Sequence, residues 1–361
     1  MIRGLKSGWV VVGLCWAALC SGAAPALAAY NTAGSAAVAT QSTVSSIAST
    51  TAGVVAGGIG SGIAGGAFTT VGSLTPNGNA NFAGVNPQGG LAFTGTGRSA
   101  GNGGNERFGV WVNAGWEHLN NSFTNTAFSG NTWAGALGAD FKVIDRVIVG
   151  AALTGEDTKL GTRFNSGHLN TSGWGAGPYA AVEITKNFFV DVTGLYQGLS
   201  NTTDRSSGAI TGSYHGYRWL GVANLNGKFS EANWLFLPQI GYLYVRERDD
   251  AYRESGVGGG AVASNTIKVG QGRLGGKIGY QLNQVIPYVG GRWEHNFTQP
   301  TITIPAGVAG GSPSNSRDAA FIQLGFLANL GSGLSASLEA NTRQKTDESD
   351  YGITGNIRYT F

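Results

Sequence analysis

Beyond the first hundred residues, apolar and polar residues alternate with a period of two in segments of roughly ten residues. In the segment FGVWVNAGWEH, Phe108, Val110 and Trp116 fall on one face, whereas Asn113 and Glu117 fall on the other. Successive side chains of a strand point to opposite faces, so each segment predicts a strand with one apolar and one polar face. The polar faces need a wet environment, which the lumen of a membrane barrel supplies.

The number and spacing of these segments predict an all-β fold, a transmembrane antiparallel up-and-down β-barrel of about 12 strands. Tight turns such as 143–146 alternate with connections that we expect to be long and polar, such as 298–317. This alternation is typical of barrels with short periplasmic turns and long outer loops, and it places both ends of the barrel domain on the periplasmic side. The predicted strands are 108–119, 131–143, 146–157, 168–184, 187–200, 214–229, 233–247, 266–282, 284–297, 318–330, 333–345 and 350–361.

A soluble β-sandwich is the alternative explanation of the alternation. It would require buried aliphatic faces and protected sheet edges. Here the apolar faces end in Trp and Tyr residues, among them Trp116, Trp133, Trp219, Trp234 and Tyr244. Aromatic girdles at the two membrane interfaces account for these residues more simply.

The N-terminal residues 1–28 read as a secretory signal peptide. Arg3 and Lys6 precede an apolar run that ends in small residues near Ala28. A retained membrane anchor is the alternative, but the run is shorter than the roughly 20 residues that span a bilayer. Cys15 and Cys20 lie within this segment, so the mature chain is expected to have no thiol chemistry.

Residues 29–104 form a second region, rich in Gly, Ala, Ser and Thr, before a barrel domain at 105–361. No Lys, Arg, Asp or Glu occurs between Lys6 and Arg98. Val and Ile recur at spacings of three and four residues within 35–61, which favours a helix, whereas the glycines near 57–66 disfavour one. The stretch after Pro76 reads as a linker.

Neither composition nor motifs indicate an enzyme. A net charge of +3 with 12% charged residues does not suggest a nucleic-acid partner. The tripeptide Trp-Glu-His occurs twice, ending at His118 and His295, and an acid/base or metal site could be imagined there. Interfacial Trp beside solvated neighbours is the simpler interpretation. We therefore expect no catalytic residues, no cofactor and no metal.

Charged residues on the polar faces are the better functional indication. At about twelve strands, a barrel lies between those filled by side chains and open porins, so a narrow, wet pore that can be plugged is expected. These charges should pair across the pore or contact a threaded segment. The candidates that face the lumen are Glu117, Asp140, Glu183, Asp191, Arg273, Lys277, Glu339, Arg343 and Arg358.

Three blocks in the barrel region resemble the C-terminal β-domain of autotransporters, the proteins of type V secretion. The first is Leu-Gly-Ala-Asp at 137–140, followed by a charged turn and a strand with a central Gly150. The second is Gly-Gly-Lys-Ile-Gly-Tyr at 275–280, and the third joins Pro-Tyr at 287–288 to Trp-Glu-His-Asn-Phe at 293–297. Their order, together with the terminal Phe361, makes the combination specific.

The resemblance implies an outer-membrane translocator with a C-terminal assembly signal, here Ile357, Tyr359 and Phe361. It also implies outer-membrane lipid and the barrel-assembly machinery as partners, and a monomer. The resemblance also implies a helix threaded through the pore, for which 35–61 is the candidate. The chain departs from the family because no long repetitive passenger is visible, and because the uncharged segment 35–61 lacks charges that would pair with Glu339, Arg343 or Arg358.

The predicted function is therefore an outer-membrane barrel of a Gram-negative bacterium that exports or displays a short N-terminal segment. A surface adhesion or interaction protein that uses long outer loops is the first alternative, with an unidentified extracellular or host ligand. A small porin and an outer-membrane hydrolase are the others. The sequence leaves open whether the pore is plugged and whether the segment is cleaved.

Overall fold

The computed structural model describes residues 44, 46–56, 107–123, 127–144, 146–298, 316–331 and 333–361. Within them the chain forms one helix, α1, at 44 and 46–56, and fifteen strands. The strands are β1 (Phe108–Asn121), β2 (Phe128–Ile144), β3 (Val147–Thr162), β4 (Gly167–Thr185), β5 (Phe188–Arg205), β6 (Ile210–Gly227), β7 (Phe229–Glu231), β8 (Trp234–Asp249), β9 (Tyr252–Arg253), β10 (Ala261–Val262), β11 (Asn265–Tyr280), β12 (Val285–Thr298), β13 (Asp318–Gly331), β14 (Leu334–Lys345) and β15 (Glu348–Thr360).

Twelve of these strands close into an antiparallel barrel, which confirms the predicted fold class. Each strand pairs with the next along the chain, β6 pairs with β8, β8 pairs with β11, and β15 returns to pair with β1. The short β7 pairs only with the start of β8, and β9 and β10 form a separate two-stranded sheet. Closure leaves no free edge in the barrel, as a membrane-spanning sheet requires.

The barrel is apolar on the outside, whereas its interior holds charged and amide side chains together with an apolar cluster. Leu137, Trp174 and Ile240 are more than half exposed on its outer face. Asn113 and Arg218, by contrast, are almost completely buried inside. The alternative of a soluble β-sandwich is therefore wrong, because such a fold buries its apolar faces.

The two rims of the barrel differ. We call the turn rim the end that holds both barrel termini and the connections β2–β3, β4–β5, β6–β8, β11–β12 and β13–β14, and the loop rim the opposite end. At the turn rim, Gly331 and Gly333 adopt φ values of 83° and 80°, which only glycine accepts readily. The expectation that all loop-rim connections are long is wrong. The connections 163–166, 206–209 and 346–347 are tight, because the polar Thr- and Ser-containing segments before them continue as paired strands.

The chain terminus is held by the first barrel strand. Phe108 and Phe361 exchange two backbone hydrogen bonds of 3.2 and 3.0 Å, and their rings stack with centroids 5.2 Å apart. Tyr359 contacts the Phe361 ring from the same outer face at 5.1 Å. The terminal aromatic therefore seals the seam where the barrel closes.

Helix α1 is the described part of the helix expected at 35–61. No helix among the described residues is long and apolar enough to cross a membrane. The predicted signal peptide at 1–28, the linker and the boundary at 104/105 lie outside the described residues, so they stay predictions.

Candidate functional site in the barrel lumen

Helix α1 packs tightly against one side of the barrel interior. Ala48, Ala52 and Val55 are at most 2% exposed and belong to one apolar cluster with Leu243 and Val245 of β8. Small side chains four residues apart lie on one face of a helix, so they let its backbone approach the wall. This apolar stripe explains why the helix forms despite the neighbouring glycines.

Hydroxyl groups connect the helix to charged side chains near the loop rim. Ser46 Oγ donates to Asp350 Oδ2 at 3.1 Å and accepts from Arg343 Nη1 at 3.2 Å. Thr50 Oγ1 donates to a carboxylate oxygen of Glu117. An uncharged helix thus makes polar contacts to lumen charges, although the sequence offered no opposite charge to pair with them.

A buried ion network stands beside the same helix. Arg218 is 1% exposed, and its Nη1 contacts both carboxylate oxygens of Glu156 at 2.9 and 2.7 Å, while its Nε donates to Glu247 at 2.7 Å. Thr51 Oγ1 donates to Glu156 Oε2 at 3.4 Å. Two carboxylates around one guanidinium leave hydrogen-bonding capacity on Glu156, which Thr51 and Gln197 use.

Two of the cationic residues predicted to face the lumen, Arg273 and Arg343, also contact the helix. Arg273 donates through Nη2 to Ser49 Oγ at 2.9 Å and through Nε to Gln271 Oε1 at 2.7 Å. Arg343 Nε donates to Glu294 Oε2 at 2.9 Å, and Glu294 also accepts from Arg292. The loop-rim half of the lumen therefore combines several arginines and carboxylates around a neutral helix.

The turn-rim half has a separate polar chain. Arg358 forms a bidentate pair with Asp140 at 2.8 and 2.6 Å, and Tyr179 OH donates to the same carboxylate at 2.7 Å. Trp111 Nε1 donates in turn to Tyr179 OH at 2.7 Å. The pair crosses over Gly109, where an added Cβ would collide with both charged groups. The junction of β15, β1 and β2 is thus stabilised by this ion pair inside the barrel and by the Phe108–Phe361 contact outside.

The remaining candidates lie in less crowded surroundings. Lys277 Nζ and Tyr288 OH both donate to Glu339 Oε2, at 2.8 and 2.9 Å. Asp191 accepts only amide hydrogen bonds among the described residues, from Asn224 at 2.9 Å and Asn226 at 2.6 Å. Glu183 is buried near the turn rim, where it interacts electrostatically with Lys228.

A cavity of about 310 Å³ remains beside the helix. The helix contributes its small face, and the barrel contributes amides, hydroxyls and charges, mostly from β11 to β15. The helix residues that line it are Ser49, Thr50, Gly53 and Ala56. Helix α1 therefore fills only part of the lumen, and the remaining cavity is lined by both polar and apolar side chains.

Several lumen residues escaped the sequence analysis. Glu156, Arg218 and Glu247 belong to the most buried ion network, yet they were not among the candidates. Strand parity could have found them, because the exposed Trp219 fixes Arg218 on the opposite face. The pairing itself could not be read, since Glu156 and Arg218 lie on strands that are not neighbours.

The histidines lie away from the lumen network. His118 contacts Asn131 and Ser129, and His295 contacts Asp318, in each case among exposed or half-buried groups. Glu117 of the first Trp-Glu-His block instead points inward to Thr50. Among the described residues, no three His, Cys, Asp or Glu side chains are grouped as a metal site would require.

The longest described connection at the loop rim is folded against the barrel. Arg205 donates to both carboxylate oxygens of Glu254 at 3.1 and 2.8 Å, and the Tyr252 ring stacks on Tyr214 with centroids 4.7 Å apart. Burial, with the Glu254 charge second, raises the pKa of Tyr252 to about 12. The hydroxyl therefore stays neutral at physiological pH, and the β9–β10 hairpin is an ordered surface.

A comparison with family models matches residues 110–341 to the autotransporter β-domain. No curated protein matches the chain. Solved structures show the same fold at low identity. The translocator domain of the autotransporter NalP from Neisseria meningitidis is 15% identical, with a TM-score of 0.61 over 72% of this chain and 90% of that chain.

Two further structures agree with this result. The β-domain of the Bordetella autotransporter BrkA is 17% identical, with a TM-score of 0.59 over 71% of this chain and 100% of that chain. The transport unit of the autotransporter AIDA-I from Escherichia coli is 15% identical, with a TM-score of 0.54 over 71% of this chain and 90% of that chain. At such identities these matches establish the fold alone.

Proposed function

Since the chain belongs to the autotransporter β-domain family, and is thus an outer-membrane barrel of that type, we propose that it exports and displays its own N-terminal segment. Helix α1 is the part of that segment that stays in the pore, with the loop rim outside the cell. The fold is that of a transport barrel and not of an enzyme family, so no covalent chemistry is proposed.

The direction of helix α1 in the pore is the observation that carries this proposal. Ser46 contacts Asp350 near the loop rim, Thr50 contacts Glu117, and the Val54 carbonyl accepts from Asn113 Nδ2 at 2.7 Å further toward the turn rim. The helix therefore runs from the loop rim inward. The first described residues of the helix thus lie nearest the loop rim, and its last ones point toward the turn rim, where β1 begins.

The neutrality of the segment suits passage through this lumen. The walls carry both cationic and anionic clusters, and a charged segment would be attracted by one and repelled by the other. Residues 7–97 contain no Lys, Arg, Asp or Glu, so their passage buries no unpaired charge. Their hydroxyls still supply hydrogen bonds, which hold the helix once it stops.

Cysteine labelling of intact cells tests the proposal. Ser35→Cys is introduced into a chain in which Cys15 and Cys20 are replaced by alanine, and a membrane-impermeant maleimide is added from outside. We expect the thiol at position 35 to be labelled in intact cells. Val257→Cys serves as the outside control, since Val257 is 98% exposed at the loop rim.

Lys186→Cys in the β4–β5 turn is the matched inside control, which we expect to be labelled only after permeabilisation. Labelling of position 35 only after permeabilisation would reverse the proposed direction. No labelling of position 35 under either condition would contradict display and favour a segment enclosed in the barrel.

The cavity beside the helix supports a second candidate function, passage of small solutes as in a narrow porin. Single-channel recording of the refolded full chain separates the two. A plug predicts little conductance until 44–56 is deleted and a several-fold increase afterwards, whereas a porin conducts with the helix in place. Unchanged conductance after the deletion would contradict the plug.

A further inference from the structure

Three cationic side chains lie together on the lipid-facing surface. Arg246 is on β8 and stands directly opposite Lys268 of β11, and Arg248 is the next residue on the same face of β8. The residues between and beside them, such as Val245 and Glu247, point inward and are buried. We call Arg246, Arg248 and Lys268 the exterior cation cluster.

Nothing in the described chain neutralises the exterior cation cluster. None of its three side chains forms a hydrogen bond or an ion pair with a described residue. Lys159, another outward-facing cation near the loop rim, by contrast pairs with Asp157 at 3.5 Å. Like charges directly opposite each other on antiparallel strands are destabilising. The placement of Arg246 against Lys268 thus has no explanation within the fold.

No acidic residue elsewhere in the sequence is placed to pair with the exterior cation cluster. Asp250, the exposed acid directly after β8, forms no ion pair with Arg248. Residues 299–315, which follow β12 in the sequence, contain no Asp or Glu. The acids outside the described residues are Glu106 and Asp145, which adjoin the turn rim. The exterior cation cluster is therefore free to bind an anionic group of another molecule.

The position of the exterior cation cluster along the barrel axis indicates which kind of molecule it binds. On β8, Trp234 near the turn rim and Tyr244 toward the loop rim both face outward and mark two aromatic levels. At ~3.3 Å per residue and a tilt of ~40°, they are ~25 Å apart along the barrel axis, the usual height of the apolar band. Arg246 lies ~5 Å and Arg248 ~10 Å beyond Tyr244, at the level of lipid headgroups.

We propose that the exterior cation cluster binds the phosphate groups of an anionic lipid in the leaflet at the loop rim. With that rim outside, as proposed above, this lipid is the phosphorylated glycolipid of the outer leaflet. Arginine guanidinium groups bind phosphate oxygens in a bidentate manner, and the lysine adds a third charge. Trp219, which faces outward beside Arg246, supplies a flat apolar surface for the lipid below its headgroup.

The test uses the full chain refolded in a zwitterionic detergent. Native mass spectrometry measures its affinity for a bis-phosphorylated glucosamine-disaccharide lipid and for the same lipid without phosphates. We expect the phosphorylated lipid to bind ~10-fold more tightly, and the variant R246Q/R248Q/K268Q to lose this preference. The matched control K159Q removes an outward lysine that has its own acidic partner, and it should bind like the original chain.

Three outcomes would overturn the proposal. They are equal binding of the two lipids, a triple variant that folds and keeps the preference, and full displacement of the lipid by an equimolar amount of inorganic phosphate, which would assign the cluster to free phosphate. If the triple variant does not fold, K268Q alone should still weaken binding ~3-fold, and unchanged affinity there is equally contradictory. The lipid assay in detergent does not depend on membrane orientation, so its result is separate from that of the labelling at position 35.

Discussion

The two sides of the barrel interior differ in how closely they pack against helix α1. Strands β1 to β6, β8 and β11 form a packed wall, where apolar side chains such as Leu243 and Ile267 close on helix α1. Strands β12 to β15 form an open wall, which contributes nothing to that apolar cluster and faces the cavity of about 310 Å³. The difference indicates that the helix is docked on one wall rather than suspended in the pore, so a passage remains along the other.

The largest expected effect contrasts an ion network of the packed wall with an ion pair that faces the cavity. Arg218→Ala leaves the buried Glu156 and Glu247 without their guanidinium and should reduce the free energy of unfolding by about 3–5 kcal/mol. Lys277→Ala breaks a pair whose side chains are 36% and 18% exposed, and it should cost about 0–1 kcal/mol. Urea unfolding of the refolded barrel, followed by tryptophan fluorescence, measures both values.

If the two variants lost similar amounts of unfolding free energy, water would reach both networks equally. The distinction between the packed interior and the cavity would then be wrong. The matched control is Lys159→Ala, whose pair with Asp157 is exposed on the outer face and should contribute little.

The next contrast concerns the two faces of helix α1. Ala52 is 2% exposed against the packed wall, so Ala52→Leu should weaken docking of the helix by about 1–3 kcal/mol through overpacking. A Cβ at Gly53 would meet nothing within 4 Å, so Gly53→Ala should strengthen the helix by about 0.5–1 kcal/mol through its higher propensity. Hydrogen exchange of the helix amides measures both changes.

Opposite signs at adjacent positions are the distinctive result. If both substitutions slowed exchange, or both accelerated it, the helix would not be docked with Ala52 inward and Gly53 toward the cavity.

The smallest expected effect concerns the hydroxyl that faces the arginine of β11. Ser49→Ala removes the hydrogen bond from Arg273 Nη2 at 2.9 Å, while the Nε bond to Gln271 remains. The cost should be about 1 kcal/mol, visible as faster exchange of the helix amides without a change in barrel unfolding. An unchanged exchange rate would mean that the hydroxyls do not hold the helix, and that the apolar stripe alone does.

The barrel could be predicted because each strand is recognised from its own residues, without knowledge of its neighbours. Alternation identifies each of the twelve barrel strands, and one exposed residue such as Trp219 fixes which neighbours point inward. The contacts inside the lumen depend on register and closure, which are not local. Asp140 and Arg358 are 218 residues apart and meet only because β15 pairs with β1 over Gly109.

The helix was predictable only in part, for a related reason. Its spacing of Val and Ile is visible in the sequence, but its stability comes from the wall that it packs against. Hydroxyls such as Ser46 and Thr50 also carry no sign that they will meet charged partners. Expecting opposite charges on the helix therefore overlooked neutral donors, which satisfy carboxylates and guanidinium groups without adding a buried charge.

A disulfide cross-linking experiment tests the position and direction of helix α1 most directly. In a chain without Cys15 and Cys20, the pair Val54→Cys and Gly115→Cys is used, because a Cβ at Gly115 would lie 3.5 Å from Val54 Cγ2, and a mild oxidant is added to isolated outer membranes. Peptide mapping by mass spectrometry should find a disulfide between positions 54 and 115. The pair Val54→Cys and Leu119→Cys, which are displaced in opposite directions along the pore, should give none. A disulfide in the second pair, or none in the first, would contradict a helix that enters at the loop rim and lies along the packed wall.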